Sequence, residues 1–282
     1  MKKRYFWLFI GYLWSSLALA QGPYGVGTTE EFHGPVGIQM YSLREYCKLN
    51  VEAGLKLAAG LGFQVIEPST TFQLSVEDYK KLMDQYGLKA ISRNFDYGKF
   101  TTDEGIDSVI RDAQAFGVKY VGTAWFPHEK PLTEEAMKKV VAVFNHAGER
   151  LAKEGLFFTF HNHGFEFEPW SGGKEGETLY DMLIQQTDPR YVGFELDIRW
   201  IKAPTNPLEL FQKYPNRWKL MHLKCESSSE GMLLEKSSVD WSAILKASQE
   251  AGVEAWFLEY DDVRNIVPNT MRNLRFLESL NQ

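Results

Sequence analysis

The chain has 282 residues, 44% hydrophobic and 24% charged, with two cysteines and a formal net charge of −6. That composition can bury a substantial core without disulfide staples, and it excludes a disordered, collagenous or cysteine-framed protein. The acidic balance also makes nucleic acid a poor partner.

Residues 1–20 read as an export signal. Lys2, Lys3 and Arg4 form a basic start, residues 5–14 an apolar run, and Ala18-Leu19-Ala20 a small-residue cleavage site ahead of Gln21. The run is short for a bilayer span, and no cysteine follows Ala20 to carry a lipid anchor. The expectation is an exported, periplasmic protein with no stable membrane insertion after cleavage. Its mature form would have 262 residues and a formal charge of −9, since the segment removes three basic and no acidic side chains. Residues 21–34 read as a loose lead-in.

Short apolar runs then alternate with longer amphipathic stretches, eight times over. The runs 36–41, 64–67, 89–94, 120–124, 156–161, 191–197, 218–224 and 255–260 predict strands. The stretches 51–61, 76–86, 106–116, 133–154, 178–186, 207–214, 241–251 and 263–280 predict helices, several ending in glycine as at Phe116-Gly117. Eight strand-then-helix units fit a single (β/α)8 TIM barrel, an α/β fold, over residues 35–282. The competing open Rossmann-type sheet would need a glycine-rich phosphate turn after its first strand, where this chain has Tyr41-Ser42-Leu43-Arg44. Residues 170–177 read as a long loop within the barrel. Cys47 and Cys225 lack a Cys-x-x-Cys spacing, which argues against a thiolate metal site; they either pair or stay as buried thiols.

In such a barrel the carboxyl ends of the strands converge on one rim. Strand five ends Phe160-His161-Asn162-His163, strand six Leu196-Asp197, strand seven contains Met221-His222-Leu223-Lys224, and strand eight ends Leu258-Glu259. The successive intervals along His161, Asp197, His222 and Glu259 are 36, 25 and 37 residues, about one unit each. Four adjacent strands thus offer imidazoles and carboxylates at one height. This nitrogen and oxygen donor set suits one divalent ion (Mn, Co, Fe, Mg or Zn) acting as a Lewis acid on a carbonyl or hydroxyl pair.

Period-two alternation turns Glu195 inward with Asp197, where it needs an ion-pair partner or supports the ligands. Lys224, on the face of His222, could steady a developing oxyanion. Gln39, Tyr41 and Glu67 at strand ends, with His163 and Trp200, are candidate substrate contacts. Arg44 either joins them or pairs with Glu45. Trp125 and Trp170, like Trp200, could pack flat faces on sugar C–H groups.

Several runs carry a resemblance. Gly37-Ile38-Gln39-Met40-Tyr41-Ser42-Leu43-Arg44, Gly62-Phe63-Gln64-Val65-Ile66-Glu67, His161-Asn162-His163-Gly164-Phe165-Glu166-Phe167, Phe194-Glu195-Leu196-Asp197-Ile198-Arg199-Trp200, Met221-His222-Leu223-Lys224 and Leu258-Glu259-Tyr260-Asp261 resemble the sugar phosphate isomerase/epimerase family of xylose-isomerase-like barrels. The resemblance implies a (β/α)8 barrel with one divalent ion, manganese first, and proton abstraction next to a sugar carbonyl. It assigns Asp197, His222 and Glu259 as metal ligands and Glu259 as a base. The epimerases place a second glutamate where His161 stands here, which puts their symmetrical two-base mechanism in doubt; Glu166 or Glu168 could supply the missing carboxylate.

The expected function is an exported, metal-dependent sugar isomerase or epimerase that enolises a keto-sugar or 3-keto-glycoside, with His161, Lys224 and Glu259 catalytic. A keto-sugar dehydratase or hydratase on the same scaffold, and a non-catalytic sugar-binding barrel, are the alternatives. The partner is a small sugar without phosphate. Homo-oligomer assembly is left open by the sequence.

Overall fold

The computed structural model describes residues 23–29, 32–130, 132–170 and 172–280, so the export segment expected over 1–20 lies outside the described residues. Nine parallel strands alternate with helices: β1 (Val36–Gln39), β2 (Val65–Glu67), β3 (Lys89–Ala90), β4 (Ser92–Asn94), β5 (Tyr120–Thr123), β6 (Phe157–His161), β7 (Val192–Asp197), β8 (Trp218–Leu223) and β9 (Ala255–Leu258). β1 pairs with both β2 and β9, so the first and last strands meet at a seam. β3 and β4 are the two halves of the third expected strand. Ile91 between them donates its N–H to Ile66 O at 3.4 Å and accepts from Lys119 and Tyr120 at 3.0 and 3.1 Å, which carries the ring of hydrogen bonds across the break. The result is the eight-unit barrel read from the alternation.

The helices are α1 (Arg44–Leu49), α2 (Val51–Gly60), α3 (Val76–Gln85), α4 (Asp103–Phe116), α5 (Glu134–Ala152), α6 (Leu179–Gln186), α7 (Pro207–Lys213), α8 (Trp241–Glu250) and α9 (Ile266–Ser279). Side chains of Asn50, Ser75, Thr102, Thr133, Thr178, Asn206 and Asp240 accept backbone N–H bonds at helix starts, satisfying donors that have no partner inside the helix. The short α1 was not expected: its residues lie between the strand read over 36–41 and the helix read over 51–61. α4 starts three residues early: its first turn, Asp103-Glu104-Gly105, is polar, so the apolar period begins only at Ile106. Gly117 closes this helix at φ 73°, returning its N–H to Ala113, a conformation that costs glycine no Cβ clash.

Val65, Tyr120, Leu220, Ala255 and Phe257 plug the barrel interior below the rim, while a larger apolar layer fills the space between strands and helices. The interior is tight enough to demand glycine on β5. A Cβ on Gly122 would overlap the Thr159 carbonyl of β6, and backbone cannot yield as a flexible side chain can. Gly122→Ala is therefore expected to destabilise the fold by about 3 kcal/mol, read as a lower urea midpoint at unchanged slope.

One expectation changes and one open alternative is decided. The lead-in is packed: Val26 and Phe32 are buried, the Phe32 ring meets Trp256 edge-on at 4.9 Å, and Gly34 N donates to Gly27 O. Cys47 and Cys225 are free and buried, and burial pushes their thiols up to about 12 and 11. Among the described residues no helix is long and apolar enough to cross a membrane. The 170–177 segment is a loop within the barrel as expected, tied at its base by Trp170 N to Glu177 O.

Candidate active site

Strand register brings the polar ends together, with His161 of β6 opposite Glu195 of β7 and Asp197 opposite His222 of β8. Glu259 follows directly on β9. Glu67, His161, Glu195, Asp197, His222, Lys224 and Glu259 are all buried. His222 is held from both sides: Nδ1 lies 2.8 Å from Glu259 Oε2, and Nε2 lies 2.8 Å from Glu67 Oε2 and 3.2 Å from Glu195 Oε1. His161 faces Glu195 through Nδ1 at 3.4 Å and Asp197 through Nε2 at 3.8 Å. The Lys224 ammonium lies 2.9 Å from Glu259, 3.0 Å from Asp261 and 3.4 Å from Asp197.

Burial disfavours every charge here, and the pairs decide which groups keep one. Burial raises the Glu67 and Asp197 carboxyls, reinforced at Glu67 by the Glu195 charge and only partly countered at Asp197 by Lys224. For Glu259 burial is outweighed by His222 and Lys224, and for Glu195 by His222 and His161, so both carboxyls are held low. Burial likewise opposes the charged His222 and Lys224, yet their carboxylate partners push both pKa values up.

One donor atom from each of His161, Asp197, His222 and Glu259 fits within a 4.8 Å span. His161 Nδ1 and Asp197 Oδ2 are buried without a hydrogen-bond partner. Four buried carboxylates, counting Glu67 and Glu195, outnumber the two buried cations, Lys224 and the His222 imidazolium. A divalent cation fits this donor set and offsets its charge. Glu195, placed behind both imidazoles, would orient them, as carboxylates do for ligating histidines.

Above this cluster opens a cleft of about 770 Å³ lined by Gln39, Tyr41, His161, His163, His222, Lys224 and Glu259 among others. Tyr41 and Trp125, 44% and 51% exposed, present aromatic faces at its mouth. The His163 Nδ1–H donates to Ala124 O at 2.5 Å, fixing the ring beside His161. Burial, then the His161 charge, lowers its pKa to about 4.

Two residues expected as substrate contacts lie off the cleft lining. Glu67 is fully buried below the cleft, its oxygens occupied by His222, Gln39 and Asn94, so it supports the site and does not face substrate. Trp200 is not among the cleft-lining residues. It packs under Arg199 at 4.3 Å and beside Lys224 at 5.6 Å. Trp170 likewise stays off the cleft, leaving Trp125 from that group. Arg44 contacts Glu45 only at 3.9 Å; its guanidinium donates to the carbonyls of Tyr41, Tyr260 and Asp261 across the seam.

Supporting residues missed by sequence reasoning are Asn94 and Asn162. Asn94 Nδ2 donates to Glu67 at 3.1 Å and Glu195 at 3.3 Å. The Asn162 amide accepts from Asp197 N and donates to Asp197 O, which fixes the end of β7. Asn162 sits between the two inward histidines, and that parity is the signal that turns it toward the neighbouring strand.

Glu166 is fully buried outside the cleft lining, and its carboxylate accepts the His163 N–H at 3.1 and 3.2 Å. Burial pushes its pKa from 4.5 up to about 7. The folded state therefore holds this proton more tightly than the unfolded chain: the resulting stability is full below about pH 4.5 and is lost as pH rises through about 7. Glu166→Gln is expected to flatten the fall in unfolding free energy between about pH 5 and pH 8 by about 3 kcal/mol, measured by urea titration at each pH.

Fold and site together define a (β/α)8 barrel with a buried carboxylate–histidine centre at its carboxyl-terminal mouth. The chain belongs to the xylose isomerase-like TIM barrel family, whose model matches residues 55–280. A sugar phosphate isomerase/epimerase from Parabacteroides distasonis is similar, with 25% identity, a TM-score of 0.74, and coverage of 86% of this chain and 96% of that one. The IolI protein, solved with a bound zinc atom, shows 16% identity and a TM-score of 0.66 over 87% of this chain and 96% of its own. A D-allulose 3-epimerase from Methylomonas sp. shows 15% identity and a TM-score of 0.64 over 87% and 97%. Comparison with curated proteins gives no match.

Proposed function

We propose that the protein is an exported, metal-dependent sugar isomerase or epimerase that enolises a keto-sugar or 3-keto-glycoside. The observation that carries this reading is the convergence of His161, Asp197, His222 and Glu259 within 4.8 Å at the floor of the cleft. These four would hold one divalent ion, manganese first, which when bound would polarise the substrate carbonyl and its neighbouring hydroxyl.

The chain's own groups divide the remaining work. Glu259, kept ionised by His222 and Lys224, takes the proton from the carbon next to the carbonyl. Lys224, a permanent cation bridging Glu259 and Asp197, faces the cleft where negative charge develops on the substrate oxygen. Gln39, Tyr41 and His163 line the walls and orient hydroxyls, while Trp125 covers an apolar sugar face. Export rests on the amino-terminal segment read from the sequence.

A second reading, loss or addition of water after the same enolisation, draws on one observation. Among the described residues Glu259 is the one glutamate lining the cleft, and Glu166 is tied to the His163 amide outside it. Deuterium exchange from solvent into a panel of keto-sugars and 3-keto-glycosides, with manganese-loaded protein, tests both. Exchange with an inverted or moved carbonyl product supports the first, exchange with an unsaturated product the second, and no exchange with any panel member overturns both.

A further inference from the structure

The cleft has an arm that the reaction above does not use. It runs past the end of β4, where Arg93 faces the side of the strand opposite Asn94 and still lines the cleft with Lys99 from the following turn. Arg93 is only 8% exposed, its guanidinium stacked between the rings of Phe95 at 4.6 Å and Phe116 at 4.4 Å. Its Nε and Nη1 make no hydrogen bond among the described residues. The nearest counter-charge, Asp112 Oδ2, stands 3.7 Å away, beyond hydrogen-bond reach. Lys99 contributes a second cation, loosely placed 3.4 Å from Ser108 Oγ. A desolvated guanidinium with open donors is costly to keep, and the aromatic rings hold its plane fixed.

We infer that this arm is a carboxylate subsite: Arg93 and Lys99 hold the acid group of a sugar acid whose carbonyl reaches the His161–Glu259 centre. The inference rests on the sugar-enolising reading for what lies at that centre. A singly charged carboxylate matches a planar guanidinium that lines the cleft and is only loosely paired with Asp112. A dianionic phosphate suits the arm less well, because Asp96 and Asp112 also line it.

The test is calorimetric binding of D-glucuronate, D-glucose and D-glucose 6-phosphate to the manganese-loaded protein and to its Arg93→Gln and Asp112→Asn variants. The expected result is glucuronate bound at least about tenfold more tightly than glucose, one charge-assisted hydrogen bond being worth that much. Arg93→Gln should erase the preference, and Asp112→Asn, which removes the competing carboxylate, should enlarge it. Equal affinity for glucuronate and glucose, a preference that survives Arg93→Gln, or tighter binding of the phosphate would each overturn the inference. Should Arg93→Gln fail to fold, a preference unchanged or reduced in Asp112→Asn overturns it equally. Arg93-dependent glucuronate binding without deuterium exchange would leave the subsite standing and remove the reaction. Exchange into neutral keto-sugars without any glucuronate preference would do the reverse.

Discussion

Replacing Glu259 by glutamine is expected to lower solvent deuterium exchange into a reactive keto-sugar by about 10² to 10⁴-fold, the range typical of a lost general base. Glutamine keeps the side-chain length and an oxygen that can accept from Lys224, but it cannot take a proton. Charge on the exposed rim would be removable at no cost to the fold, yet Glu259 is 8% exposed and pairs with two buried cations. Lys224 retains Asp197 and Asp261, so the loss of stability should stay below about 3 kcal/mol, well short of unfolding. Thermal denaturation beside the exchange assay separates the two effects. Exchange at the parent rate in a folded variant would remove Glu259 from the role of base.

The second large effect concerns the ion. Protein stripped by a chelator and reloaded with Mn²⁺ should acquire one ion per chain and gain about 2.7 kcal/mol of stability at a hundredfold excess over the dissociation constant. Asp197→Asn should weaken that binding by at least about 100-fold, since a neutral amide replaces an anionic ligand. The fold should tolerate the substitution: Asp197 Oδ1 accepts the Arg199 N–H at 2.9 Å, a bond asparagine can keep, and the ion pair lost at Oδ2 leaves Lys224 with Glu259 and Asp261. Elemental analysis and calorimetry give the answer. A parent protein that takes up no ion would sink the assignment and leave a sugar-binding barrel as the better account.

The barrel and the centre of its site were legible for one reason: both obey a period. Alternation of strand and helix announced eight units, and period two within strands pointed His161, Glu195, Asp197 and His222 inward. Depth does not follow from a period. Glu67 ends its strand in register with Gln39, which lines the cleft, but its oxygens are gripped by Gln39, His222 and Asn94, and it stays off the lining. Arg93 escaped for a related reason. Its parity faces it out of the barrel, and only the path of the turn Tyr97–Phe100, which no local pattern specifies, opens that side to the cleft. Trp200 was misplaced because a residue just beyond a strand end can lean either way, and Arg199 stacks over the ring that would otherwise face substrate.

The reach of Arg44 across the seam bears on how the molecule comes into being. Its bonds to the carbonyls of Tyr260 and Asp261 join groups 216 and 217 residues apart in the chain, among the longest separations a chain of 282 residues allows. Closing so large a loop is entropically expensive, and non-local topology of this kind slows folding. Glu259 lies one residue from that clasp, on the strand that docks against β1. Glu259 thus comes to rest only when the two ends of the barrel have found each other. Until then the apolar edges of β1 and β9 stay unpaired, which makes the last step of assembly both the one that completes the carboxylate–histidine centre and the one most exposed to aggregation.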